Sequence, residues 1–282
     1  MQVKWLIEDY EHDSSLVPLM GEIKRQGMDY KVVKYEPWES GTFNQYPNED
    51  CVVFYGTLQL AKQLQREKGW VPGVYCNFKN LCCKTYYSYW GNHLFNKDYI
   101  MLPMMEILRR REEIFKQFGV DETIWIRPDS GAKTFTGQTV PLEWLDKEFD
   151  LFANYAGKPL DEILAIISSP KVIDYEWRVV VVDKKVVASS QYKKDGKLNI
   201  SAEWNDGMYD AWHYAQEIAD SKWQPDIAYT LDICKSNGEY WMLEANSFSC
   251  SGLYECDFKP IVEAVSKVAL REWKDYFEAE EV

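Results

Sequence analysis

Residues 225–249 read PDIAYTLDICKSNGEYWMLEANSFS. Leu231 and Ile233 alternate with their neighbours on the way in, and Trp241, Leu243 and Ala245 do so on the way out. Period-two alternation on both sides of a Ser-Asn-Gly turn predicts a hairpin of strands 227–234 and 240–246 with one apolar face. For odd positions to meet odd positions, the loop must be the three residues Ser236, Asn237 and Gly238, with Gly238 in the left-handed bulge position. Residue 232 then lies opposite 242, and 244 is its diagonal neighbour. Asp232, Glu244 and Asn246 therefore project together from the face opposite the apolar one. Two carboxylates and an amide oxygen on a rigid ribbon suit a hard divalent cation. The same residue types are also ordinary on the wet side of a hairpin.

Moving toward the N-terminus, SSPKVIDYEWRVVVVDKKVV (residues 168–187) predicts strands 177–182 and 186–190 across a short turn at Asp183-Lys184. Arg178 alternates with Val180 and Val182, and a guanidinium on a valine-rich strand needs a partner, because an unpaired buried charge is costly. The partner is either a neighbouring carboxylate or a phosphate. Further upstream stands WIRPDSGAKTFTG (residues 125–137). A strand over 124–127 ends at Pro128, and a loop of small residues follows. Such a loop lets backbone N–H groups approach an anion, with Arg127 and Lys133 supplying charge. The spacing matches neither a Walker loop nor a dinucleotide fingerprint. A polar hairpin loop is the competing reading.

The first 80 residues alternate strand (3–7), helix (14–26), strand (30–35), strand (51–55) and helix (57–68), which implies parallel pairing in an open α/β sheet. Long apolar stripes predict helices over 99–118, 143–155, 208–219 and 261–277, the first of them rich in methionine.

The chain has 282 residues, about two domains' worth, with 46% hydrophobic and 27% charged residues; disorder is excluded by that balance. A net charge of −13 argues against a nucleic-acid partner, since the short basic knots at Arg109–Arg111 and Lys193-Lys194 form no stripe. No run reaches the ~18 apolar residues of a membrane span, and the first residues do not read as a signal peptide. The seven cysteines include no CxxC pair, so reduced thiols in a cytoplasmic protein are expected. His12, His93 and His213 are scattered, and no Ser-His-Asp or Cys-His arrangement stands out.

In this order, IRPDSGAKTFTG, PKVIDYEWRVVVVDKKVVASSQY and LDICKSNGEYWMLEANSFSCSGLY resemble the ATP-grasp superfamily of carboxylate–amine ligases. The likeness is to a clade common in phage and bacterial genomes that carries two arginines and a lysine. It implies an α/β pre-grasp-like domain (residues 1–85), followed by an α+β ATP-grasp fold with antiparallel sheets, its small lobe at 86–170 and its large lobe at 171–282. It implies ATP and one or two Mg²⁺ ions as cofactors, and small-molecule or peptide carboxylates and amines as substrates. By residue, it implies Arg127 and Arg178 as catalytic groups at the phosphates. Ser130, Gly131, Lys133 and Thr134 would cover them, and Lys171, Val172 and Glu176 would lie near base and ribose. Asp232, Glu244 and Asn246 would hold metal, with Ser249, Ser251 and Gly252 bordering the acceptor. The sequence departs from the pattern at two places. Arg127 stands where many relatives place a lysine, and Gln191, Tyr192 and Lys193 occupy the region of a second arginine. A kinase on the same fold and a non-catalytic nucleotide-binding module are the alternatives.

Overall fold

The structure is a computed structural model that describes residues 2–10, 13–36 and 45–280, the side chain of Glu280 excepted. His12, Glu281 and Val282 lie outside the described residues. The chain begins with β1 (Lys4–Glu8), α1 (Leu16–Arg25), β2 (Asp29–Val33), β3 (Val52–Tyr55) and α2 (Leu58–Glu67). It continues through α3 (Cys83–Trp90), β4 (Ile100–Pro103), α4 (Met104–Arg109), α5 (Arg111–Phe118), β5 (Thr123–Pro128), β6 (Gln138–Pro141), α6 (Leu145–Ala156) and β7 (Leu164–Ser168). The last third holds β8 (Tyr175–Val182), β9 (Lys185–Lys194), β10 (Lys197–Ser201), α7 (Asp206–Ala219), β11 (Ala228–Ser236), β12 (Glu239–Ser247) and α8 (Phe258–Glu280).

These elements form two compact units, one made of Met1–Asn77 with Ile173–Val282 and the other of Phe78–Val172. In the first unit, β2, β1 and β3 pair in parallel in that order, as the strand–helix alternation predicts. Thr57 caps α2 by accepting from the Leu60 N–H at 3.3 Å. The same unit holds a five-stranded antiparallel sheet ordered β10-β9-β8-β11-β12. One core spans both sheets, with Trp5, Ile7, Val53 and Tyr55 packed with Val180, Val182, Phe248 and, from α8, Ile261 and Val265. Fully buried Phe248 meets Trp5, Tyr55 and Tyr75 edge-on, with centroids 6.0–6.4 Å apart.

The second unit packs α4, α5 and α6 on a four-stranded antiparallel sheet ordered β4-β7-β5-β6. Here the structure corrects the helix expected over 99–118. Residues 100–103 are a strand paired with β7, and helix begins only at Met104. Pro103 explains this, because it disfavours helical backbone at Leu102. Met104 then enters the core while Met105 is exposed, so the methionine stripe is narrower than its sequence spacing.

The hairpins close on left-handed residue pairs: Asp121-Glu122, Asp183-Lys184, Asp195-Gly196 and Asn237-Gly238 all have positive φ. Two-residue turns of this kind match the twist of the strands they join. Ser236 consequently pairs with Glu239, so the β11–β12 loop has two residues rather than three. That shift puts Met242, not Trp241, opposite Ile233 and into the core. A bulge between positions 232 and 233 then restores the parity, with Asp232 opposite Glu244 and Leu231 opposite Ala245. Among the described residues, no helix is long and apolar enough to cross a membrane.

Asp226, at the entry to β11, titrates far from its usual range. Burial pushes its carboxyl up to about 7, against the opposing effect of N–H donors from Ile227 (2.8 Å) and Asn77 (3.1 Å), and Glu272 adds like charge. The folded chain therefore keeps a proton that the unfolded chain releases near 3.8. This group favours folding most below the unfolded value, and the contribution fades as pH rises toward the folded one. Thermal melts should show the midpoint of wild type, relative to Asp226→Asn, falling steadily from about pH 4 to about pH 7. Parallel profiles would remove Asp226 from the pH dependence.

Candidate active site

Along β8, residues 176, 178, 180 and 182 share one face. Val180 and Val182 belong to the core, whereas Glu176 and Arg178 continue that face as a polar surface. Arg178 pairs across the sheet with Asp232, and Asp232 with Glu244. Thr230 pairs with Asn246. The three residues expected on one face are therefore together, and Arg178 stands beside them.

The Arg178 fork grips Asp232: Nε donates to Oδ1 at 2.5 Å and Nη2 to Oδ2 at 3.1 Å. Nη1 donates to the Gly252 carbonyl at 2.9 Å. Both side chains of the pair are almost fully buried. Burial works against the guanidinium's charge, but the Asp232 carboxylate outweighs it and holds Arg178 more firmly protonated than usual. Asn246 Nδ2 donates to Asp232 Oδ2 at 3.3 Å and to Glu244 Oε1 at 2.9 Å. Glu176, also buried, accepts from the Tyr192 hydroxyl and from Lys193 Nζ (3.4 Å).

The donor set fits a hard cation in kind, being two carboxylates and an amide that offers oxygen when turned. Among the described residues, no group of three or more His, Cys, Asp or Glu side chains is arranged to hold a metal. The ribbon's capacity thus rests on the two carboxylates and Asn246, with Asp232 engaged by Arg178.

Ser249 and Ser251 are buried and committed. Ser249 Oγ accepts from the Tyr75 N–H at 2.9 Å, and its carbonyl accepts from the Gly56 N–H at 2.8 Å. Ser251 Oγ donates to the Ser247 carbonyl at 2.6 Å, while its own carbonyl accepts from the Tyr55 hydroxyl at 2.7 Å. This segment fastens the N-terminal sheet to the β12 end, and Gly252 meets Arg178 directly.

In the second unit, Ile124 and Ile126 enter the core, so Trp125 and Arg127 project from the other face of β5. Arg127 is buried. The strand runs one residue further than expected, through Pro128. Ser130 shapes the loop, since Oγ accepts from the Ala132 N–H (3.1 Å) and its carbonyl from the Lys133 N–H (3.0 Å). Lys133 is exposed, at φ 48°. A Cβ on Gly131 would lie 2.9 Å from the Phe78 carbonyl, so only glycine permits that approach. Phe135, stacked on Phe152 at 4.1 Å, pins the loop to the core. The Thr134 hydroxyl is buried and lacks a hydrogen-bond partner among the described residues. Asp129 underpins the loop: burial raises its carboxyl's affinity for a proton, against the Lys84 N–H that donates to it at 2.6 Å. Lys171 binds Asp98 (2.5 Å) and Asn96 (3.1 Å), while Val172 is 78% exposed.

Sequence reasoning missed Tyr192 and Tyr254, whose rings lie beside Arg178. Tyr192 is the extra residue of a bulge, and Tyr254 follows the acidic hairpin in a turn. Neither has a motif that marks it.

Comparison with solved structures finds the same fold. D-cycloserine synthetase DcsG superposes with a TM-score of 0.61 at 14% identity, over 95% of this chain and 99% of that one. D-alanine–D-alanine ligase from Bacillus anthracis, solved with ATP, gives 0.58 at 12%, over 98% and 100%. The ATP-grasp ligase PsnB, solved with its minimal precursor, Mg and ADP, gives 0.51 at 13%, over 96% and 98%. No curated protein matches in sequence. The profile of the ATP-grasp domain, family 2 of the clade named for two arginines and a lysine, matches residues 108–264. That span is more than half of the chain and takes in the loop after β5, Arg178 and the acidic hairpin, and the protein belongs to that ATP-grasp family.

Proposed function

We propose that the protein is an ATP-dependent ligase that joins a carboxylate to an amine, releasing ADP and phosphate. The observation that carries this reading is the Arg178 fork set against Asp232, Glu244 and Asn246 on one sheet face, in a chain of the ATP-grasp family. In the first step a carboxylate oxygen attacks the γ-phosphorus, the bond to the β-phosphate oxygen breaks, and ADP leaves. The amine nitrogen then attacks the carbon of the acyl phosphate. The bond to phosphate breaks, and the amine's proton passes to water or phosphate. Phosphorylation is needed because a carboxylate is a poor electrophile at neutral pH.

The protein's share is positional and electrostatic. Arg127 and Lys133 are assigned to the phosphates, with Ser130, Gly131 and Thr134 shaping the loop that covers them. Arg178 is assigned to the transferred phosphoryl group. Lys171, Val172 and Glu176 are assigned to base and ribose, and Ser249, Ser251 and Gly252 to the border of the acceptor site. Asp232, Glu244 and Asn246 would hold one or two Mg²⁺ ions, which supply positive charge against the triphosphate. Residues 1–85, 86–170 and 171–282 are read as pre-grasp-like, small-lobe and large-lobe parts. The relatives solved with ATP, and with Mg and ADP, support the cofactor assignment, and PsnB with its precursor supports peptides among the substrates. We place the activity in the cytoplasm, where ATP is available.

A coupled ADP-release screen with amino acids, dipeptides and small carboxylates tests the reading. Phosphate released only when both a carboxylate and an amine are present identifies a ligase. Phosphoryl transfer to a hydroxyl identifies a kinase, and ATP binding without ADP release identifies a non-catalytic module.

Glu244 is half-exposed, so Glu244→Gln should lower ADP release by about a hundredfold or more while leaving the thermal midpoint in place. Turnover at the wild-type rate would remove Glu244 from the metal site. Asp232 is a poorer probe, because its neutralisation strands a buried Arg178. Arg178→Lys keeps the charge and loses the fork, and steady-state kinetics should show turnover reduced roughly tenfold or more. An unchanged rate would exclude Arg178 from the phosphate site.

A further inference from the structure

Tyr254 has φ 53°, in the left-handed region. The other described non-glycine residues with positive φ are Asp, Asn, Glu or Lys, several of them in tight turns. A bulky aromatic residue there is unusual, and such backbone persists where its surroundings over-determine it. They do so at Tyr254. The Leu253 N–H donates to Ser15 Oγ at 2.8 Å, the Glu255 N–H to Ser190 Oγ at 3.3 Å, and the Cys256 N–H to the Leu253 carbonyl at 3.1 Å. Ser190 is the β9 residue paired with Arg178.

The turn places the Tyr254 ring parallel to Tyr192, with centroids 4.9 Å apart and planes 5° from parallel. The Arg178 guanidinium carbon lies 5.5 Å from the Tyr254 centroid and 5.8 Å from that of Tyr192, within the range of cation–π attraction. Tyr192 reaches this position because Glu176 pairs with Lys193 and Trp177 with Gln191, leaving Tyr192 as the bulged residue. Its hydroxyl donates to Glu176. Burial raises both phenols above their ordinary range, which keeps the rings neutral. The segment from Gly252 to Tyr254 therefore meets Arg178 twice, through a carbonyl and through a ring.

We infer that Tyr254, backed by Tyr192, is a positioning residue that fixes the Arg178 fork in its reactive orientation, and that the backbone at Tyr254 is held left-handed to deliver that ring. This rests on the ligase reading for its consequence in turnover, but the positioning itself is independent of it. Stacking neutral rings beside a buried guanidinium removes its rotational freedom without adding a second carboxylate to a site that must accept an anion. The hydroxyl of Tyr192 ties Glu176 to the same stack.

The test compares wild type with Tyr254→Phe and Tyr254→Gly. Glycine removes the ring and accepts the left-handed backbone, while phenylalanine keeps the ring. The direct readout is the ¹⁵N NMR signal of the Arg178 Nε–H, identified by its loss in Arg178→Lys. Wild type and Tyr254→Phe should show a slowly exchanging, ring-shifted signal, and Tyr254→Gly should lose both properties. In ADP-release kinetics, Tyr254→Gly should lower kcat about tenfold with little change in KM for ATP, and Tyr254→Phe should match wild type. An unaltered Nε–H signal in Tyr254→Gly overturns the proposal, as does an equal loss in Tyr254→Phe. If the signal behaves as expected but wild type releases no ADP with any substrate pair, the positioning stands and the ligase reading fails.

Discussion

The site depends on one buried ion pair. Arg178 and Asp232 sit opposite each other on adjacent central strands, nearly out of contact with water. Desolvating two charges is expensive, and the cost is offset only by good geometry and further hydrogen bonds. This pair has both: a two-pronged grip, the Gly252 carbonyl on the third nitrogen, Asn246 on the carboxylate, and two aromatic rings alongside. Removing either member leaves the other stranded, so the neighbouring segments are constrained to keep the pair intact.

That constraint explains features that look unrelated. The β9 bulge at Tyr192, the left-handed Tyr254 and the buried Ser249–Gly252 stretch all converge on the same few ångströms. Ser249 and Ser251 spend their hydrogen bonds on the N-terminal sheet. The α/β layer is thereby tied to the polar face through Phe248 and the following turn. A chain with net charge −13 handles an anionic ligand in this reading because its relevant cations are few, local and held in place.

The second unit follows a similar economy. Core residues Ile124, Ile126 and Phe135 fix a strand and the far end of its loop, so that Arg127 and Lys133 are carried on a rigid frame. The close approach at Gly131 and the turn at Ser130 set the loop's path with backbone contacts, leaving Lys133 exposed.

Much of the fold is legible in the sequence, because alternation and capping act locally. The parallel N-terminal sheet, both large hairpins and the shared face of Asp232, Glu244 and Asn246 follow from spacing alone. The route to that shared face differs from the expected one. Turn twist selects a two-residue Asn237-Gly238 loop, and a bulge returns the strand to the same parity, so two departures cancel at the acidic residues and leave their trace at Trp241 and Met242. The strand ending at Pro103 escapes a periodicity reading because a strong apolar stripe conceals it. Sequence alone determined which residues face together, since side-chain direction is a property of neighbouring backbone. Only tertiary structure decided that Tyr192 and Tyr254 flank Arg178, that Lys171 turns to Asp98, and that Ser249 binds Tyr75, because each joins segments whose separation along the chain carries no periodic signal.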